Sequence, residues 1–290
     1  MEKEKIYDPR KEKAIKIIKN TVIYIIMIFF AVIMLFPFYW SLITAIRPTE
    51  EIWEIPVSFI PHGFSFKSFK DFFTLTENFG SALGYTVLIT AVGMFTNLFF
   101  GGLAGYTFAR LKFRGRKIIF RVMLMSLMLP TIVTILPQYF IIAKMGLVGN
   151  WIAVVLPGAV GVYGIFFMRQ FFYGVPAALG EAARIDGAGE FRIFWQIYFP
   201  QVTSGLITLG IITFNSYWNS YLWPSMVLLT GDVKMLSLLL GDFQQLYGDV
   251  PGSVGSVMAG AIIIMLPSLV IFAFLQKYFL NTVTFAGVKE

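Results

Sequence analysis

Between two long apolar segments of this chain lies a short polar stretch, Glu181-Ala182-Ala183-Arg184-Ile185-Asp186-Gly187-Ala188-Gly189, which runs on to Ile197-Tyr198-Phe199-Pro200. Pro176 suits the first turn of a helix, residues 177–184 favour helix strongly, and Gly187 and Gly189 then break it. Phe191, Phe194 and Trp195 follow at spacings of three or four and give an apolar face. The chemistry on offer is recognition: Glu181, Arg184, Asp186 and Arg192 stand ready for a partner. By spacing alone, an amphipathic helix lying in a membrane interface is the competing reading. A second cluster, Asn215, Tyr217, Trp218, Asn219, Tyr221 and Trp223, combines amides with aromatic faces at one depth of a helix. Asn215 and Asn219 share a face at i, i+4 and need a wet or protein neighbour, whereas Trp and Tyr near the end of an apolar segment also fit an interfacial belt.

Catalytic constellations are missing from the sequence. There is no cysteine, so no disulfide and no thiolate metal site. The single histidine, His62, stands in a polar loop between Pro61 and Gly63, with no companion ligand nearby. No Gly-x-x-x-x-Gly-Lys-Ser/Thr loop exists to cradle a nucleotide phosphate. The middles of the apolar segments carry no Asp, Glu, Lys, Arg or His, which leaves a proton relay or an intramembrane protease without its groups. We therefore expect no catalytic residue and no metal.

The elements that position these residues belong to a membrane protein. The 290 residues are 57% hydrophobic and only 13% charged, against about a quarter charged in soluble domains. A bilayer crossing needs roughly 20 apolar residues, and six segments qualify: 21–46, 81–108, 118–140, 151–172, 197–222 and 254–279. The first has no small-residue cleavage site after it and reads as a retained anchor. Lys and Arg cluster on one side of these segments: seven in residues 3–19, six in 110–121, three in 169–192 and two in 277–290. The other side holds five (Arg47, Lys67, Lys70, Lys144, Lys234) against eight acids. This asymmetry places both termini in the cytoplasm. The excess of positive charge, +7 overall, is therefore topological and does not imply nucleic acid. Gly101, Gly102, Ala104 and Gly105 form a small-residue face for close helix packing, within this chain or against a partner. Pro130, Pro137, Pro157 and Pro267 are either hinges or tolerated kinks.

The Glu-Ala-Ala…Asp-Gly-Ala…Phe…Ile…Pro pattern resembles the coupling loop of importer permeases in the ATP-binding cassette class. The resemblance extends further. Arg47-Pro48-Thr49-Glu50-Glu51-Ile52 is similar to the start of the outer loop in sugar-importing permeases, Asn78-Phe79-Gly80 to the segment opening their core, and residues 215–224 to the outer end of their fifth span. The maltose-transporter type fits best, specifically its smaller permease. Gln276-Lys277-Tyr278-Phe279 fits that type too, while Asn281-Thr282-Val283-Thr284-Phe285-Ala286-Gly287-Val288-Lys289 departs from its usual Gly-Leu-Thr-Ala-Gly-Ala-Val-Lys ending.

The resemblance implies an all-α, polytopic membrane protein with the six transmembrane helices of the type I importer permease fold. Its parts would be a cytoplasmic tail (1–20), an anchor helix (21–46), an extracytoplasmic loop (47–80), a core (81–279) with its coupling loop at 176–196, and a cytoplasmic tail (280–290). It further implies that Glu181, Ala182, Ala183, Arg184, Asp186 and Gly187 engage an ATPase. Two such ATPase subunits, a second homologous permease and an extracytoplasmic solute-binding protein would complete the machine in the cytoplasmic membrane. The chain itself binds no cofactor, and ATP and Mg²⁺ would sit on the ATPase. Sugar rings stack on aromatic faces and bond amides at their edges, so Asn215, Tyr217, Trp218 and Asn219 are the expected substrate path. The glycine-bearing stretch 229–252 could contact the binding protein. A sugar is the expected cargo, with glycerol phosphate, a polyol or a polyamine as the alternative within the same machine, and a stand-alone channel as the alternative outside it.

Overall fold

The structure, a computed structural model, describes residues 9–56, 58–250 and 252–287, with the side chains of 9–12 and 279–287 excepted. The expected N-terminal tail before residue 9 and the side chains of the C-terminal tail lie outside the described residues. All secondary structure among the described residues is helical. In chain order the elements are α1 (Pro9–Ile46), a 3-10 turn (Thr49–Trp53), α2 (Lys67–Leu75), α3 (Phe79–Arg110), α4 (Arg116–Ser126), α5 (Thr131–Lys144) and α6 (Ile152–Val155), continued by a 3-10 turn (Leu156–Gly158). There follow α7 (Val162–Gly174), α8 (Ala177–Ile185), α9 (Glu190–Ile193), a π-helical stretch (Phe194–Tyr198), α10 (Phe199–Gln201), α11 (Thr203–Trp218), α12 (Leu222–Val227), α13 (Leu236–Tyr247) and α14 (Val254–Gly287).

Three helices are long and apolar enough to cross a bilayer alone: Lys13–Ile46, Phe79–Arg110 and Val254–Tyr278. The remaining three expected spans are not single helices. The third bends by 101° between α4 and α5, the fourth by 45° at the Gly158–Val162 break, and the fifth by 80° at Val202. Six spans result when each bent pair is counted as one. Proline explains the breaks, because it offers no N–H to the turn above and its ring displaces the carbonyl four residues earlier. Pro130 stands immediately before α5, Pro157 lies in the 3-10 turn and Pro200 in the short α10. Pro137 and Pro267 instead lie inside helices that continue past them.

Contacts divide the chain into two units, one up to Thr74 together with Tyr247–Ile262, the other Leu75–Leu246 together with Ile263 onward. In the first, the body of α1 exposes Ile, Phe and Met on every side, as a helix facing lipid all round does. Its end is buried: Ala45 packs with Ala259 and Ile262 of α14. Arg47 is buried as well, donating to the Ser58 carbonyl at 2.5 Å with its guanidinium 5.7 Å from the Trp40 ring centre. The 47–80 region, expected to be an extracytoplasmic loop, contains α2, whose buried Phe72 lies against Gly260.

In the second unit α3 is the central helix, packed against α7 and α11. Gly101 and Gly105 make the α7 contact possible. A Cβ on Gly101 would stand 3.4 Å from the Gly164 backbone, and one on Gly105 only 2.8 Å from Met168 Cβ. The small-residue face therefore serves packing inside this chain. Gly105→Leu is expected to cost about 1–3 kcal/mol by overpacking, seen as a lower melting temperature of the detergent-purified chain. Gly84→Ala, where nothing lies within 4 Å, is expected to be neutral or stabilising by up to about 1 kcal/mol.

Candidate functional site

The α8 helix begins directly after Pro176, one position later than the sequence implies. It ends in a Schellman motif: Ala188 N–H donates to the Ala183 carbonyl at 2.9 Å and Gly187 N–H to that of Arg184 at 3.1 Å, with Gly187 at φ +80°. A left-handed turn at that position favours glycine. The two faces of α8 differ sharply. Gly180 and Ala183 point inward, where a Cβ on Gly180 would lie 2.6 Å from the Tyr198 hydroxyl. They sit on a buried aromatic knot in which the Tyr106 ring centre is 5.2 Å from Phe194, 5.3 Å from Tyr198 and 5.7 Å from Phe172. Glu181, Ala182, Arg184, Asp186 and Gly187 are exposed, and Ile185 beside them is 86% exposed. Of the six expected coupling residues, Ala183 is thus the seat and the other five form the outward face. An apolar side chain presented among charges, and left open by the described residues, suits a protein partner.

Four side chains that sequence reasoning passed over hold this loop. Arg184 bonds Glu190 (Nε–Oε1 2.6 Å), a pairing that pushes the guanidinium further above its ordinary pKa. Glu190 also accepts a hydrogen bond from the Tyr106 hydroxyl at 2.8 Å. Arg110, at the end of α3, lies 5.0 Å from the Tyr198 ring centre, and its guanidinium donates to the Phe172 and Val175 carbonyls at the end of α7. Arg169 returns the favour: from α7 its Nε donates to the Phe108 carbonyl of α3 at 3.2 Å, and its Nη2 to the Tyr173 hydroxyl at 2.7 Å. Two arginines that look like topology markers in the sequence therefore each bond carbonyls at the end of the other's helix. The π-helical stretch Phe194–Tyr198 directly precedes Pro200. It widens the helix where the Gln196 carbonyl has no proline N–H to accept.

A cavity of about 340 Å³ lies in the same unit, lined among others by Asn97, Gln138, Thr213, Ser216, Tyr217 and Trp223. Asn97 Nδ2 donates to the Gly158 carbonyl at 2.7 Å, just where the fourth span breaks, and Trp223 Nε1 to that of Ala153 at 3.0 Å. The expected substrate path divides here. Tyr217 lines the cavity. Trp218 is 4% exposed, donates to the Ile264 carbonyl at 2.8 Å and stacks on Phe214, so it ties α11 to α14. Asn215 and Asn219 lie on the exposed side, Asn219 Nδ2 donating to Asn215 Oδ1 at 2.5 Å and to Ser268 Oγ at 3.4 Å. Asn97, Gln138, Thr213 and Ser216 are cavity residues that the Trp/Tyr cluster did not reveal. Intramembrane amides and hydroxyls were the available signal. Among the described residues no group of three or more His, Cys, Asp or Glu could hold a metal.

Residues 97–284 match a protein family described as binding-protein-dependent transport system inner membrane component. The chain belongs to this family. It is 32% identical to the arabinooligosaccharides transport system permease protein AraQ of Halalkalibacterium halodurans, over 90% of this chain and 93% of that one. It is 31% identical to the lactose transport system permease protein LacG of Rhizobium radiobacter (87% and 90%) and 30% identical to the sn-glycerol-3-phosphate permease UgpE of Yersinia pestis (89% and 93%). A crystal structure of a bacterial ABC transporter involved in alginate import has the same fold, with a TM-score of 0.77 and 21% identity over 94% of this chain and 99% of that one. As a member of the family the chain is a multi-pass membrane transport component rather than an enzyme. The glycine pocket under α8 leads to a direct expectation. Gly180→Val collides with Tyr198 and is expected to lower the melting temperature in detergent, whereas Ile185→Ser, on the outward face, stays within about 0.5 kcal/mol of the native chain.

Proposed function

We propose that the chain is one permease of a heteromeric, ATP-driven importer that moves a sugar or oligosaccharide across the cytoplasmic membrane. It would work with a second homologous permease, two ATPase subunits that bind ATP and Mg²⁺, and an extracytoplasmic solute-binding protein. The observation that carries the coupling half is the split of α8: Gly180 and Ala183 anchored on the aromatic knot, Glu181, Ala182 and Ile185 turned outward. This is how a ball fits a socket on another subunit, with the ATPase pressing on the outward face and the knot receiving the load.

The cargo half rests on the cavity. Amides, hydroxyls, two phenols and an indole line it beside Ile135, Val154, Leu209 and Ile212, and no Lys, Arg, His, Asp or Glu does so among the described residues. That chemistry suits a neutral polyhydroxy solute, in keeping with the arabinooligosaccharide and lactose permeases among the relatives. Glycerol phosphate is the second reading, from the UgpE relatives. A phosphate would call for a cation in the cavity, so the neutral cargo is favoured.

Affinity purification in mild detergent tests the coupling. The native chain is expected to bring down an ATPase carrying a phosphate loop, and a Glu181→Lys, Gly187→Pro double variant to lose it. A native chain that purifies alone sinks the assignment. For the cargo, proteoliposomes holding the purified complex and its binding protein should take up labelled arabinotriose in preference to labelled glycerol 3-phosphate. Ser216→Lys should abolish that uptake while the ATPase still co-purifies; the reverse preference selects the second reading.

A further inference from the structure

The turn between α8 and α9 is a weak place for a force to cross. Gly187 runs at φ +80°, and a Cβ on Gly187 or Gly189 would meet nothing within 4 Å. A push on α8 would be absorbed there unless something spans the turn. Glu190 does: it lies six residues beyond Arg184, across both glycines, and accepts from Arg184 on both carboxylate oxygens, at 2.6 and 3.2 Å. Its Oε2 also accepts from Tyr106, which is 2% exposed in the knot. Tyr106 belongs to α3, and nine residues back along that helix, about 14 Å at the usual rise, Asn97 holds the Gly158 carbonyl beside the cavity. The docking helix and the break in the fourth span are thus joined through one carboxylate and one rigid helix. Such coupling requires an element with two arrangements, and the 45° break beside Asn97 is the one assigned that part.

We propose that Glu190 is a positioning residue for energy coupling: with Arg184 and Tyr106 it stiffens the Gly187–Gly189 turn and carries displacement of α8 into α3 and on to the cavity. This rests on the reading of α8 as the ATPase dock. A purely stabilising role is a poor fit, since Arg184 and Glu190 side chains are 39% and 45% exposed and exposed ion pairs add little stability. The arrangement instead uses a buried tyrosine hydroxyl to fix which way the exposed carboxylate points.

The chain has no cysteine, so Ser216→Cys gives it a unique thiol on the cavity wall. In the assembled complex, the maleimide labelling rate of that thiol is compared with and without ATP plus vanadate, alone and combined with Glu190→Gln or Tyr106→Phe. Tyr106→Phe keeps the ring in the knot and removes only the hydrogen bond. The ATPase is expected to co-purify with all three proteins, and the nucleotide response to fall about 2- to 30-fold in the two combined variants. Equal responses in all three, whether large or absent, overturn the proposal. Loss of the ATPase from the combined variants alone overturns it as well, by making these residues part of the dock. Absence of the ATPase from the Ser216→Cys protein itself is the separate failure of the docking reading.

Discussion

A break in a helix at membrane depth exposes carbonyls that have lost their N–H partners, and hydrocarbon offers no replacement. Three of the six spans are broken in this way, so much of the molecule's polar chemistry is spent on closing them. Asn97 bonds the Gly158 carbonyl at the fourth-span break and Trp223 that of Ala153 in the same span, while Trp218 bonds Ile264 in the unbroken α14. At the adjoining ends of α3 and α7, Arg110 and Arg169 bond carbonyls of each other's helices. Even around the cavity the polar side chains are engaged, Ser216 Oγ donating to the Ile212 carbonyl at 2.9 Å and the Tyr217 hydroxyl to that of Val155 at 3.4 Å.

Close helix contact is what makes these bonds reachable. Gly101 and Gly105 bring α3 and α7 together until only bare backbone or a Cβ stands between them. At that separation the Arg110 side chain can cross to the end of α7 and the Arg169 side chain to the end of α3. With larger residues at the two glycines, the arginines would be held off their acceptors. Packing and polar satisfaction are one arrangement seen from two sides, and in lipid neither has the hydrophobic effect to support it.

The architecture was largely legible because apolar length and charge asymmetry are written along the chain residue by residue. The helix–glycine shape of residues 176–189 was legible for a different reason: helix formers from Ala177 followed by Gly187 are a local pattern, and α8 ends where that pattern does. What stayed hidden depends on residues far apart in the chain. Nothing in the sequence pairs Tyr106 with Glu190, 84 positions away, or Asn97 with Gly158, 61 positions away. The division of residues 215–219 was hidden as well, since adjacent side chains on a helix point about 100° apart. Tyr217 and Trp218 therefore had to part company, and only the position of α14 says which one is buried. The small helix α2 left a faint trace in Phe69, Phe72 and Phe73, whose spacing of three and four was masked by the prolines before it.

Ile185 stands almost wholly in the open at the end of α8, on a helix too well seated to fold it away. Water is a poor neighbour for such a group, and the knot beneath leaves no room for it to retreat. A lone copy of this subunit therefore carries its own tag of incompleteness. An exposed aliphatic side chain is what proteases and chaperones recognise, and a bound partner would hide this one. Were a partner to cover Ile185, that residue would also set the lifetime of copies made in excess, keeping their number in step with the supply of partners.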